Sequence, residues 1–120
     1  MKLWELKVYH IAREISKYAW PIYKRLDWQM KKIIGDQWIE AIDSISANIA
    51  EGFGRFHFLD KNKFNYNARG SLFESFDWVD KLFERKEITK EEYDYLISKL
   101  ALCHKKLNSY IQTTKSQIKK

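Results

Sequence analysis

One proline, four glycines and a single cysteine are all that 120 residues hold of the types that break or staple a backbone. A sheet protein draws on Gly and Pro for its many turns, so their scarcity points to long helices joined by few connectors. A lone Cys103 excludes an internal disulfide and is compatible with a reducing cytoplasm. No stretch approaches the ~20 apolar residues that span a bilayer, and the opening MKLWELKVYH is interrupted by charge, so a soluble, unexported, cytoplasmic protein is expected. Histidine is scarce as well: none of His10, His57 and His104 follows a glutamate by three residues, which removes the Glu-x-x-His pairs of di-iron bundles. No Cys-x-x-Cys, P-loop or dinucleotide fingerprint occurs, and no cofactor or metal is expected.

What is present suits one domain, large enough to bury about two thirds of its unfolded surface. Trp4, Val8, Ile11, Ile15, Tyr18 and Ile22 recur at steps of four and three, one face of a first helix over about 3–26, which Pro21 kinks or ends. Residues 27–35 read as a connector with at most a helical turn of its own. Asp36 is the expected N-cap of a second helix, 36–53, with the stripe Trp38, Ile42, Ile45, Ile49 and Phe53, and with Gly52 and Gly54 supplying left-handed backbone to stop it. A third helix, 60–86, is expected to start after Asp60 as its N-cap and run through Phe64, Ala68, Leu72, Ser75, Val79 and Leu82. Thr89-Lys90-Glu91-Glu92 is a capping box that opens a fourth, 89–118, with the stripe Tyr93, Leu96, Leu100, Cys103, Leu107, Tyr110 and Thr114. Four such helices with short connectors predict an all-α, antiparallel up-down four-helix bundle.

Aromatic rings exceed what one seam can bury. At 100° per residue, Tyr66 and Phe73 point away from the Ala68–Leu72–Val79 stripe, with Phe76, Phe83 and Trp78 on its flanks. A second buried surface is expected there, most economically a subunit interface; coverage by the first helix or the connector is the alternative.

The net charge of +6 is concentrated at the two ends of the chain. Residues 1–35 carry +5 and residues 89–120 carry +4, while residues 36–56 carry −3, with Arg55 their only basic residue. Such an asymmetry favours a polyanionic partner such as nucleic acid; a solvated charged face is the plain alternative.

Polar residues near the seams are the remaining chemistry. Ser44, Asn48 and Glu51 share one face of the second helix, and Ser71 and Glu74 flank Leu72 on the third. The expectation is an interior polar layer in which Asn48 and Glu51 hydrogen-bond across helices and fix register and partner choice. The competing reading is a general acid/base pair, or a metal nuclease on Glu51 and Glu74, but no nucleophile or histidine stands near to complete it. A non-enzymatic protein is expected.

SISANIAEGFGR, followed by ARGSLFE and the capping-box helix, resembles the four-helix-bundle proteins encoded by intervening sequences in bacterial 23S ribosomal RNA genes. The match covers about residues 3–112. Its motif positions fall on Ser44, Ala47, Asn48, Ala50, Glu51, Gly52, Gly54 and Arg55, and on Gly70, Ser71, Leu72 and Glu74. The resemblance implies a closed bundle that assembles as a homo-oligomer, a ring of five subunits, without established enzymatic activity. It extends to the accessory variability proteins of diversity-generating retroelements, basic pentameric bundles that bind nucleic acid and a reverse transcriptase. Two departures stand out. Ser46 replaces the motif's proline, and Ile39 and Glu40 stand where a basic pair is usual. A basic surface must therefore come from the first and last helices.

The leading expectation is thus an oligomeric bundle that presents a basic surface to RNA or DNA, as an accessory to a reverse transcriptase or another nucleic-acid enzyme. Its phosphate contacts would be Lys7, Arg13, Lys17, Lys24 and Arg25 on the first helix and Lys31 and Lys32 in the connector. Lys105, Lys106, Lys115, Lys119 and Lys120 would join them from the fourth. The alternative is a scaffold that docks a partner protein on the aromatic residues of the third helix.

Overall fold

The computed structural model describes residues 1–118, so Lys119 and Lys120 lie outside the described residues. Those described are helical, with no strand among them. After a 3-10 turn, Leu3–Glu5, the chain forms α1 (Lys7–Arg25), a short α2 (Trp28–Met30), a wider π turn (Lys31–Gly35), α3 (Asp36–Phe53), α4 (Phe58–Glu84) and α5 (Lys90–Ile118). Four long helices make the bundle, in which α1 packs on α3 and α5, and α4 packs on the same two. It is an elongated body of 50 × 23 × 21 Å. Its length is set by the 29 residues of α5, about 43 Å at 1.5 Å per residue.

The core follows the expected periodicities with shifts of register. Leu96, Leu100, Cys103, Leu107 and Thr114 of α5 are buried as expected, but Ile111 rather than Tyr110 completes the seam. In α1 the buried line is Val8, Ala12, Ile15, Ala19 and Ile22. The two alanines replace Ile11 and Tyr18, which lie on the margin of the core, and Trp4 is exposed. The two small residues lie on the inward line itself, and the larger side chains of Ile11 and Tyr18 cover its edges. Trp38, Ile42, Ile45 and Ile49 are fully buried as their stripe predicts, whereas Phe53 is half-buried. Burial raises the Cys103 thiol to about 12, which makes it a core side chain rather than a nucleophile.

Three expected helix ends are corrected. Asp36 is not an N-cap: Asp27 caps, accepting from the Met30 N–H at 2.8 Å. The helical path then continues through the π turn, and Asp36 instead accepts from the Tyr23 hydroxyl. Asp60 is not a cap either, because α4 begins at Phe58 after His57, leaving Asp60 in the first turn where its charge suits the helix dipole. Neither Gly52 nor Gly54 has positive φ. Gly52 is helical and buried where α3 meets α4, and a Cβ there would lie 2.8 Å from the Lys61 carbonyl oxygen. Close approach, not a left-handed stop, is what that glycine provides. The capping box is as expected: Thr89 Oγ1 accepts from the Glu92 N–H at 3.1 Å, and Glu92 Oε1 accepts from the Thr89 N–H at 2.9 Å.

Candidate nucleic-acid interface

The outward line of α1 is the complement of its buried one. His10, Arg13, Lys17, Trp20 and Lys24 step by three and four residues and are all exposed. Lys7 lies on the flank of this line that turns towards α5. Lys17 and Lys24 form no salt bridge with a described residue, nor does Arg13, which donates to the Tyr9 hydroxyl at 2.8 Å. Beside this line, between α1 and α5, runs a groove of about 460 Å³ whose lining includes Lys17, Tyr18, Pro21 and Tyr95. Tyr18 and Tyr95 stack there with ring centroids 3.8 Å apart. Of the acids on this face, Glu14 accepts from Lys99 at 3.1 Å and Glu92 holds Arg25 through both of its oxygens, while Asp43 is exposed and pairs with no described cation. Asp43 lies across from Arg13 and Lys17, in a recess that they line together.

The expected basic residues therefore separate. Arg25 is withdrawn from the set of free phosphate contacts, because its guanidinium is held in a forked pair by Glu92. Lys31 is half-buried with its ammonium 5.1 Å from the Tyr23 ring centroid, while Lys32 is exposed in the π turn. Lys105 and Lys106 are exposed on α5, and Lys106 follows Lys99 by seven residues, which puts it on the α1 side. Lys115 is exposed too, but follows Asn108 by seven residues, and Asn108 accepts from Arg69 of α4 at 3.0 Å. It belongs to the opposite flank of α5.

The polar motif is not an interior layer. Glu51 is exposed and accepts at 3.1 Å from Arg55, just beyond the end of its own helix, and Asn48 donates to the Ser44 carbonyl at 2.8 Å within the helix. The seam passes through Ile45 and Ile49, leaving residues at 48 and 51 on its outer edge. What the fold does bring together is Ser44, Ser71 and Glu74, with Gln37 and Glu40, around a shallow recess of about 170 Å³ between α3 and α4. Glu51 lies two helical turns further along, about 10 Å from Ser44 by helical rise, so the two carboxylates of the nuclease alternative do not converge. No group of three or more His, Cys, Asp or Glu side chains gathers among the described residues.

Interior polarity sits elsewhere, in residues the periodicity did not single out. Asn62 and Asn65 of α4 are buried; Asn62 donates to the Ile111 carbonyl at 3.2 Å and Asn65 donates to Asn62 Oδ1 at 3.0 Å. The only sequence signal was their i, i+3 spacing in line with Ala68 and Leu72. The rings of α4 divide as well. Phe83 is half-buried and stacks on Tyr93 at 4.4 Å, and Phe76 and Trp78 pack on the margin of the core. Tyr66 and Phe73 remain 39% and 52% exposed. Between them lies Gly70, exposed in mid-helix, where an added Cβ would meet nothing within 4 Å. No described helix is long and apolar enough to cross a membrane.

A family model described as 23S rRNA-intervening sequence protein matches residues 4–109. Among solved structures, the chain is similar to a protein with unknown function from the S23 ribosomal protein family of Bacteroides thetaiotaomicron. The two are 24% identical with a TM-score of 0.81, over 88% of this chain and 95% of that one. At that identity the likeness is one of fold. Curated proteins give no match.

Proposed function

The chain belongs to the 23S rRNA-intervening sequence protein family, and we propose that it is a non-enzymatic, homo-oligomeric bundle of the cytoplasm that binds RNA or DNA through a basic face on α1 and α5. The observation that carries this is the exposed line of Arg13, Lys17 and Lys24: Glu14 and Glu92 beside it are already held by Lys99 and Arg25, which leaves Asp43 as the one carboxylate in the recess of Arg13 and Lys17 without a described partner. Such cations contact phosphates and do not read bases. The helices run antiparallel in up-down order on this reading. Arg25 meets Glu92 at one end of the α1–α5 seam, and Glu14 meets Lys99 further along it, so α1 descends as α5 ascends. Lys7 and Lys106 then lie at the same end of that seam and extend the face. A nucleic-acid enzyme such as a reverse transcriptase is the protein partner that the resemblance to retroelement accessory proteins suggests.

Assembly uses the opposite side of the molecule. Tyr66, Gly70 and Phe73 form an exposed apolar face of α4, and a glycine with open space above it admits a second backbone. A second copy of the chain, in a ring of five, is the occupant this reading assigns. Docking of an unrelated protein there is the competing reading. Light scattering decides between them, since a monomer at all concentrations would leave only the second.

A titration of labelled oligonucleotide against salt tests the main reading. Affinity should fall linearly on a log–log plot as counterions are released, with a slope that reports the number of phosphates neutralised. Undetectable binding at low salt, or binding without a salt slope, would overturn it.

A further inference from the structure

Trp20 stands in the middle of the basic line with half of its surface, 50%, in solvent. It is not loose. One face of the indole stacks on Tyr23 with centroids 5.4 Å apart and planes 19° from parallel. Tyr23 is itself anchored, donating its hydroxyl to Asp36 and carrying Lys31 5.1 Å from its ring centroid. A ring braced on one face leaves the other face open, and a groove of about 420 Å³ lined by Trp20, Pro21, Lys24 and Arg25 runs beside it. Lys17 and Lys24 flank Trp20 at i−3 and i+4, about one helical turn of 5.4 Å to either side.

We infer that Trp20 is a base-stacking platform, which makes the α1 face a site for single-stranded nucleic acid. The inference rests on the nucleic-acid reading above and specifies its substrate. A fixed aromatic face between cations matches an unpaired strand, whose bases are free to stack while its phosphates meet Lys17 and Lys24. In a duplex the base faces are already stacked on one another, so the indole has nothing to receive and only the lysines engage. A second copy seated on Trp20 is the other occupant the exposed ring could take, but it would confront the like charges of Arg13, Lys17 and Lys24, which a polyanion neutralises.

The test compares a fluorescent single-stranded 20-mer of thymidine with a 20-base-pair duplex, about 68 Å long by the spacing of phosphates and so longer than the 50 Å bundle, titrated with the whole chain at several salt concentrations. Wild type should prefer the single strand. Trp20→Ala should weaken single-strand binding roughly 5- to 100-fold, as loss of a stacking ring does, with an unchanged salt slope and little effect on the duplex. Trp20→Phe should restore most of the loss, and Lys17→Ala with Lys24→Ala should lower the salt slope on both probes. Equal binding of both probes, unaffected by Trp20→Ala, overturns the platform and leaves the nucleic-acid reading standing. Binding of neither probe at low salt overturns both. If Trp20→Ala shifts the mass found by light scattering, the ring is a subunit contact and the platform is overturned.

Discussion

Arg25 in the last turn of α1 and Glu92 in the first turn of α5 face each other as a forked ion pair, Nη1 on Oε2 and Nη2 on Oε1. Glu92 Oε1 also accepts from the Thr89 N–H, so one carboxylate both caps α5 and ties it to α1. The guanidinium holds Glu92 below the usual carboxylate range, helped by Thr89 and opposed by partial burial. The unfolded chain therefore binds this proton more readily than the folded one does. The stability that Glu92 contributes is fully present above the ordinary value of 4.5 and is lost as pH falls through the lower, folded value. Glu92→Gln should cost about 1 kcal/mol near neutrality, a modest figure because Arg25 is half-exposed. Urea titrations near neutrality and in acid should show the gap between wild type and variant closing as pH falls. A gap independent of pH would mean that the charge contributes nothing.

Much of the bundle was legible because burial imposes a period of 3.6 that a sequence displays directly. Leu72, Val79 and Leu82 on α4 and Leu96, Leu100 and Leu107 on α5 were placed correctly on that ground alone. The misses came where tertiary approach overrides local signals. Ala12 and Ala19 line the core of α1, whereas a hydrophobicity count favours Ile11 and Tyr18, which lie on its margin. Glu51 reads as interior from the face it shares with Ser44 and Asn48, but it stands two residues, about 200° of rotation, from Ile49, which turns its carboxylate to solvent. For the site, the basic ends of the chain were visible; which cations are free was not. Arg25 is neutralised by a residue 67 positions away, a pairing that no local spacing encodes.

Gly52 predicts a steric failure. A methyl group at this position would approach the Lys61 carbonyl to 2.8 Å and Phe64 Cβ to 3.0 Å, and the first of these is backbone that cannot step aside. Gly52→Ala should therefore destabilise the protein by about 1–3 kcal/mol, even though alanine is the better helix former. Chemical denaturation measures this, and a stabilised variant would show that α3 and α4 do not meet at this closeness.

Lys86 predicts the reverse. It is the one described residue with positive φ, 61°, and it ends α4 in a Schellman arrangement. The Glu87 N–H reaches the Leu82 carbonyl at 2.9 Å, and the Lys86 N–H reaches that of Phe83 at 3.0 Å. Glycine removes the Cβ clash of the left-handed conformation but adds freedom to the unfolded chain. Lys86→Gly should gain a net ~0.5 kcal/mol. A lowered thermal midpoint would argue against the left-handed turn.

Gly70 separates a cost in the single chain from a benefit in an assembly. In mid-helix a glycine is about 0.5–1 kcal/mol worse than alanine, and here no neighbour within 4 Å forbids the methyl group. For an isolated bundle, Gly70→Ala should therefore raise the melting temperature by several degrees. If a second copy packs its backbone between Tyr66 and Phe73, the same methyl group must hold the two helices apart. The variant should then dissociate at higher protein concentration than wild type while each chain folds more stably. Light scattering across a dilution series, read beside thermal melts of the dilute protein, resolves the two effects. A gain in stability with no change in mass at any dilution would remove this face of α4 from the subunit interface.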